Sequence, residues 1–378
     1  MRGSLKKNDK KPAQNKEKIM KIERHVGIDT EVKKVEEDDK SSKVEFLHSG
    51  CTTLNLALSQ KGRKGGWPRG RISNVVGDGS SGKTLLALEL AASTFYRMVG
   101  NVSKNFPAVK KVKIIFDNVE GVMDFPIEEM YGKQFCEAVE WARSPSIESW
   151  GRKVAREIDA NKSGELLLYI LDSVDALVTE DSKDRFDKAA KTDKPEDGSY
   201  GAGAEKAKYL SDSFFNNLCA RMEGKDVTLF LISQIRAAIG ISYGKKYRRN
   251  GGKGLDFYTH AVAWLYEQEK MKRTFRGDDR VYGIRVLARI ERNKVAKPFR
   301  EAEFQALFDY GLDDISSCLA YLYGPKVAKM LWDGEEYSRA DLVKHIEENK
   351  LQDELADRVD TAWHEIEDAI KPNRERRY

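Results

Sequence analysis

Residues 77 to 84 read Gly77, Asp78, Gly79, Ser80, Ser81, Gly82, Lys83, Thr84, which is the spacing G-x-x-x-x-G-K-[ST]. A loop of this kind can cradle the phosphates of a nucleoside triphosphate. Its glycines let successive backbone N–H groups turn inward, and a following helix adds the partial positive charge of its N-terminus. Lys83 can reach the outer phosphates, and the Thr84 hydroxyl suits Mg²⁺. Two further acids could complete a hydrolytic site. Asp172 closes the apolar run Leu166–Leu171, where it can support the metal through water. Glu120 follows a second apolar run and is the candidate base that orients and deprotonates water. Asp117 and Asp124 share that edge, Asp124 as a candidate nucleotide contact; three acids so close together could equally form a solvated turn.

A fourth position links the nucleotide to something else. Gln234 ends the apolar run Leu229–Ser233, where an amide can sense a γ-phosphate. With Lys83 and Glu120 it makes the candidate catalytic set. The chain then enters a segment, Ile235 to Gly254, with six basic residues and no acidic one: Arg236, Lys245, Lys246, Arg248, Arg249 and Lys253. Basic side chains among glycines, with Tyr243 and Tyr247 between them, suit a loop that grips a nucleic-acid backbone. A basic loop by itself is usually solvated surface; its position directly after a nucleotide-sensing strand is what singles this one out.

The elements that must hold these residues alternate. Strands are predicted at Ile72–Val76, Val112–Asp117, Leu166–Asp172, Val227–Ser233, Ala261–Tyr266, Ile284–Ile290 and Glu303–Phe308. Helices are predicted at Thr53–Ser59, Thr84–Met98, Pro145–Asp159 and Lys206–Met222. Alternation of this kind makes an α/β domain with a mainly parallel central sheet, extended by three strands with no helices between them. Leu166–Leu171 is apolar at every position, as a central strand covered on both faces requires. Residues 179–203 and 237–254 read as long loops with a function of their own. Residues 1–44 form a charged, partly flexible arm with one short helix over 16–26 that could dock on a neighbouring subunit. Residues 317–378 carry helical spacing and read as a small helical C-terminal domain with a basic tail.

The chain has 378 residues, a formal net charge of +5 and 34% charged residues, so global charge does not announce a nucleic-acid partner. No window approaches the roughly 18 continuous apolar residues of a membrane span. The first residues lack the apolar stretch of a secretory signal. Cys51, Cys136, Cys219 and Cys318 are far apart, which suits reduced, buried thiols in a cytoplasm better than a zinc site.

Taken together, the ordered blocks resemble the RecA family of DNA recombinases, of bacterial or bacteriophage type. The resemblance spans about residues 45–315. It rests on residues 49–58, 65–72, the phosphate loop, 171–177 and 232–236, and above all on 251–258 and 292–305, which separate this family from replicative helicases. It implies a RecA-like P-loop ATPase core over 45–316 that uses ATP with Mg²⁺. Gln234 would couple the γ-phosphate to a second DNA-binding loop over about 235–252, and residues 194–207 fall where the family has its first. Phe257 matches an aromatic at the subunit interface. Arg292 and Lys294 match a basic pair that reaches the neighbouring subunit's ATP. Two departures stand out: Glu120 lies three residues after Asp117 where the family's catalytic glutamate lies two after its aspartate, and Arg292 stands where the bacterial recombinase has lysine.

The activity so implied is ATP-dependent homologous pairing and strand exchange by helical filaments of this chain on single-stranded DNA. Duplex DNA would be the second partner, with loader or single-strand-binding proteins alongside, in a bacterial cytoplasm or that of a phage-infected cell. The alternatives are a RecA-core motor such as a helicase ring subunit, or an ATP-binding accessory protein of DNA repair. The C-terminal segment would guide duplex DNA, with Arg374–Arg377 as a contact, or else serve as a stabilising cap.

Overall fold

The computed structural model describes residues 44–105, 108–121, 123, 126–192, 202–237, 247–249 and 252–375. The expected arm over 1–44 and its short helix therefore lie outside the described residues, apart from Val44. The chain opens with β1 (Phe46–Leu47), α1 (Thr52–Ser59) and β2 (Trp67–Pro68), then β3 (Ile72–Gly77) and α2 (Lys83–Asn105). Next come β4 (Lys111–Asn118), α3 (Ile127–Tyr131), α4 (Lys133–Ala138), β5 (Val139–Ala142), α5 (Ile147–Ala160) and β6 (Glu165–Asp172). After α6 (Glu180–Thr192), α7 (Ala202–Lys208), a π-helical turn (Tyr209–Phe214) and α8 (Phe215–Met222), β7 (Val227–Ala237) returns to the sheet. It is followed by β8 (Tyr247–Arg249), α9 (Gly252–Tyr258), β9 (Ala261–Phe275), β10 (Asp278–Asn293), β11 (Glu301–Leu307) and β12 (Gly311–Asp313). The chain closes with α10 (Asp314–Tyr323), β13 (Lys329–Trp332), β14 (Glu335–Ser338), α11 (Arg339–Glu348) and α12 (Gln352–Ala369).

The main sheet runs β12-β11-β10-β9-β3-β7-β6-β4-β5. From β5 to β9 neighbouring strands are parallel, while β9 through β12 are antiparallel. This is the expected α/β core with its antiparallel extension. β6 shows why its sequence is apolar throughout. Leu166, Leu168 and Ile170 enter one core cluster, against α1 and α2, while Leu167, Tyr169 and Leu171 enter the other, against α5 and α8. Because β3, β6 and β7 are parallel neighbours, their carboxyl ends bring the phosphate loop, Asp172 and Gln234 to one edge of the sheet.

Several elements differ from the sequence reading. β9 and β10 run to 15 and 16 residues, far beyond the expected spans. Their outer halves are polar and exposed on both faces, so no hydrophobic alternation marks them. Residues 180–192, expected as loop, form α6. None of its residues is buried, which removes the helical period from the sequence. Its start is capped conventionally: the Thr179 hydroxyl accepts from Ser182 N at 3.2 Å, and Glu180 and Asp181 occupy the first turn. The expected helix over 206–222 is interrupted by the π turn. Cys219 is exposed, not buried. Residues 317–378 include the β13–β14 hairpin as well as helices, and Cys318, Leu322, Trp332, Ile346 and Trp363 belong to the same apolar cluster as the sheet. Among the described residues no helix is long and apolar enough to cross a membrane.

One tie between these layers is sensitive to pH. Glu89, on the helix that follows the phosphate loop, accepts from Leu312 N at 2.9 Å and from the Tyr131 hydroxyl at 3.0 Å. Burial raises its pKa from an ordinary 4.5 to about 7, against the pull of these two donors. The folded chain therefore holds more protons than the unfolded one between those values, and stability falls as pH rises through that window. Glu89→Gln keeps an acceptor oxygen and cannot ionise. Relative to the variant, the wild type is expected to lose at most about 3 kcal/mol between pH 4.5 and 7. Denaturant unfolding of both proteins at pH 5, 6.5 and 8 measures the difference; parallel curves would contradict it.

Candidate functional site

The phosphate loop leaves β3 at Gly77 and enters α2 at Lys83. Glycine is required at two points. A Cβ on Gly77 would lie 2.3 Å from Ser81 Oγ, and Gly82 has φ +82°. The loop folds on the Asp78 carbonyl, which accepts from Ser81 N at 3.3 Å, Ser81 Oγ at 2.8 Å and Lys83 Nζ at 2.6 Å. Gly79 N donates to the Asp78 carboxylate at 2.8 Å, and Ser80 takes a left-handed φ of 62°. Lys83 is buried, and burial lowers its pKa although Asp172 and Glu120 work the other way.

The acids at the edge divide by role. Thr84 Oγ1 donates to Asp172 Oδ2 at 2.6 Å, which places hydroxyl and carboxylate together as a Mg²⁺ site requires. Burial raises the Asp172 pKa to about 6, opposed by the Thr84 hydrogen bond. A divalent cation there would restore the charged form. Glu120 Oε1 accepts from Ser173 Oγ at 2.7 Å and from Gln234 Nε2 at 2.7 Å. Asp117 is different: it is fully buried and accepts from Ser144 N, Ser144 Oγ and Tyr169 OH at 2.6 to 2.8 Å, a structural anchor of β4. Between these two carboxylates, Glu120 is therefore the one joined to the Gln234 side-chain amide. Asp124 lies outside the described residues.

These groups line a cavity of about 530 Å³ with Gly79, Ser80, Ser81, Gly82, Lys83, Thr84, Glu120, Asp172 and Gln234 on one side. Glu267, Lys270, Val281 and Ile284 from the β9–β10 arm, with Leu85, Ala306 and Phe308, complete the lining. That part of the lining was missed in the sequence, because Glu267, Lys270 and Val281 lie beyond the expected strands and carry no pattern of their own. Two supports were also missed. Asp175 Oδ2 accepts from Gln234 N at 2.6 Å, and Lys206 Nζ donates to the carbonyls of Val174 and Asp175 at 3.2 and 3.0 Å. They tie α7 to β7 at Gln234. The acidic residue one position past Val174 is the signal that could have found the first of them. The Asp172–Ser173 peptide bond is cis.

Beyond Gln234 the backbone of β7 pairs with β8: Ile235 with Arg249, Arg236 with Arg248, Ala237 with Tyr247. Three of the basic positions, Arg236, Arg248 and Arg249, thus sit on a two-stranded ribbon continuous with the sensing strand. Lys253 is the second residue of α9; Lys245 and Lys246 lie outside the described residues.

Arg292 and Lys294 occupy the other end of the sheet. β9 runs parallel to β3 with Ala261 opposite Ser73, and β10 places Arg292 opposite Val262. Lys294 N donates to His260 O at 2.8 Å, and His260 N to Ile72 O at 2.7 Å. Three strand residues separate the Arg292 level from Gly77 and five the Lys294 level, roughly 10 and 16 Å along the strands, and β10 stands two strands away from β3. The fold therefore does not bring this pair to the phosphate loop of its own chain. Lys294 Nζ donates instead to Phe257 O at 2.7 Å and lies 5.6 Å from the Phe257 ring, which is 66% exposed. Burial, with Lys294 and Arg71 nearby, lowers the His260 pKa to about 4.

The model of the RecA N-terminal domain matches residues 14–103 and 155–313, well over half the chain. The chain belongs to the RecA family. Its RecA-like P-loop core takes ATP with Mg²⁺; the loop geometry and the Thr84–Asp172 pair have the donors and the oxygens that such a ligand would need. Among similar proteins, the protein RecA of Picosynechococcus sp. is 28% identical over 319 residues, 82% of this chain and 81% of that protein. RecA of Fusobacterium nucleatum is 29% identical over 282 residues, 75% of this chain, and RecA of Treponema pallidum 30% over 302 residues, 79% of this chain. In these last two cases the chain spans 65% of the relative's own length.

Proposed function

We propose that this RecA-family chain is an ATP-dependent homologous recombinase. It assembles as a helical filament on single-stranded DNA when ATP is bound, pairs that strand with homologous duplex DNA and exchanges strands, and hydrolysis releases the product. It works in a bacterial cytoplasm, including that of a phage-infected cell. The core over 45–316 carries the ATPase. The observation that carries the reading is the 2.7 Å bond from Gln234 to Glu120, one residue before the backbone joins the basic β7–β8 ribbon. An amide that reads the hydrolytic site and begins the DNA-facing ribbon couples the two.

Each residue then has a task. The backbone of residues 77–84 and Lys83 hold the triphosphate, and Thr84 with Asp172 holds Mg²⁺, which neutralises phosphate charge when bound. Glu120 orients the attacking water and takes its proton. Ser173 and Gln234 both donate to Oε1 of Glu120 and so fix its rotamer. Arg236, Lys245, Lys246, Arg248, Arg249 and Lys253 contact the DNA backbone. Phe257, Arg292 and Lys294 face the next subunit, where the two cations meet that subunit's γ-phosphate. Coupling is reciprocal: ATP favours the DNA-gripping assembly, and DNA favours ATP binding.

Single-stranded DNA is expected to stimulate the ATPase strongly. Binding should weaken with salt at a log–log slope of about 0.7 per phosphate contact. Steady-state ATPase with and without DNA, then electron microscopy of the same mixture, tests both. ATPase indifferent to DNA at every salt concentration would overturn the recombinase reading, and closed rings in place of filaments would favour a translocating motor.

A further inference from the structure

We infer that Glu367, on α12 near the C-terminal end, is a positioning residue for the Arg292–Lys294 pair; this rests on the reading that the pair acts on a neighbouring subunit's ATP. Arg292, Lys294, Lys297 and Arg300 place four cations within nine residues of the β10–β11 turn. Left to mutual repulsion they would splay. Glu367 sorts them. It is only 4% exposed, and its carboxylate accepts from Arg300 through both Nε and Nη2, the latter at 2.9 Å, and from Lys297 Nζ at 2.7 Å. A two-pronged guanidinium–carboxylate contact fixes direction as well as distance.

The turn passes that constraint to the pair. Ile290 N donates to Arg300 O at 2.9 Å, and Phe299 N to Ile290 O at 2.7 Å, so the far end of the turn is locked two residues before Arg292. Phe299 adopts a φ of 62°, an unfavoured conformation that its surroundings must hold. Asn293 braces the near side: its Oδ1 accepts from Val295 N and Ala296 N, each at 3.0 Å, and its Nδ2 donates to Leu58 O of α1 at 2.7 Å. With Lys297 and Arg300 drawn to α12, Arg292 and Lys294 remain to point elsewhere, and Arg292 Nε is buried without a hydrogen-bond partner. The C-terminal segment thereby sets the geometry of a group that works on another subunit. It does so without approaching the nucleotide cavity.

The test uses full-length Glu367→Gln, Glu367→Asp, Arg292→Ala and Lys83→Arg proteins with single-stranded DNA. Because a displacement of about 1 Å can cost a hundredfold in rate, Glu367→Gln is expected to lower the DNA-stimulated kcat by tenfold or more. Its affinity for a fluorescent ATP analogue without DNA should stay within twofold of wild type, and Glu367→Asp should recover part of the loss. Mixing decides the mechanism. Lys83→Arg subunits have a defective loop but intact cations, so co-assembly with Glu367→Gln should restore hydrolysis in the latter's loops, as it should with Arg292→Ala. Loss of kcat with such restoration supports the inference. If Glu367→Gln stays within twofold of wild type while Arg292→Ala does not, the positioning role is wrong and the trans reading stands. Restoration of Arg292→Ala but not of Glu367→Gln means that α12 damage is merely structural, which also overturns it. An Arg292→Ala protein as active as wild type removes the trans reading itself.

Discussion

Arg292→Ala is expected to reduce the DNA-stimulated kcat by about a thousandfold or more, the range found for a trans-acting arginine at a phosphoryl-transfer site. The register of the sheet is the reason for expecting an effect that only assembly can produce. Arg292 is level with Val262 and Asn74, three strand residues before Gly77 and two strands away from β3. Arg292 is not among the residues that line the nucleotide cavity of its own chain, and Phe257, in contact with nearby Lys294, is exposed as the proposed interface requires. Removal should leave a fluorescent ATP analogue bound to the isolated subunit with ordinary affinity, while turnover in the filament collapses. Arg292→Lys, which keeps the charge and loses the planar fork, should retain activity within about tenfold. Single-turnover hydrolysis in DNA-bound filaments gives the answer, and an alanine variant within twofold of wild type would sink the assignment.

Glu120→Gln should lower the same kcat by about a hundredfold to ten-thousandfold, as loss of a general base does. Glutamine keeps the shape and an acceptor oxygen for Ser173 and Gln234, so the pocket should stay assembled and ATP should still bind. Since hydrolysis is what releases DNA in this scheme, the variant's filaments on single-stranded DNA should also persist far longer in ATP. Turnover and filament lifetime, measured by quenched flow and by challenge with competitor DNA, should move together. Wild-type turnover would mean that another group, with Asp124 the next candidate, activates the water. Asp117 is unsuited to the task, because all three of its hydrogen bonds are spent holding Ser144 and Tyr169.

The two positions differ in how far they could be read from the chain. Glu120 stands among three acids in eight residues, and nothing in that run separates the base from its neighbours. The distinction came from burial and partners: Asp117 points into the core, Glu120 toward Gln234. Arg292 and Lys294 were legible by resemblance alone. Their distance from the phosphate loop follows from strand register, and no local pattern reports it. The β9–β10 arm and α6 were lost for a related reason. Hydrophobic periodicity records contact with a core, and neither element has enough of it.

Local chemistry was sufficient elsewhere. The glycines, Lys83 and Thr84 between a strand and a helix specify a phosphate cradle, because a turn that tight and that rich in backbone donors has few other uses. The apolar run of β6 ending in Asp172 specifies a central strand and the metal side of the site. What only the tertiary structure decided is which distant groups meet: Glu120 with Gln234, the β9–β10 arm with the nucleotide cavity, Glu367 with the turn that carries Arg292. These contacts join residues far apart in the chain, 67 positions for Glu367 and Arg300 and 114 for Glu120 and Gln234, and their existence depends on how sheet and helices stack. The sequence by itself therefore determined that a triphosphate is held and where. The folded chain decided where the second group of cations stands, on β10 and the turn after it and not among the residues that line the nucleotide cavity.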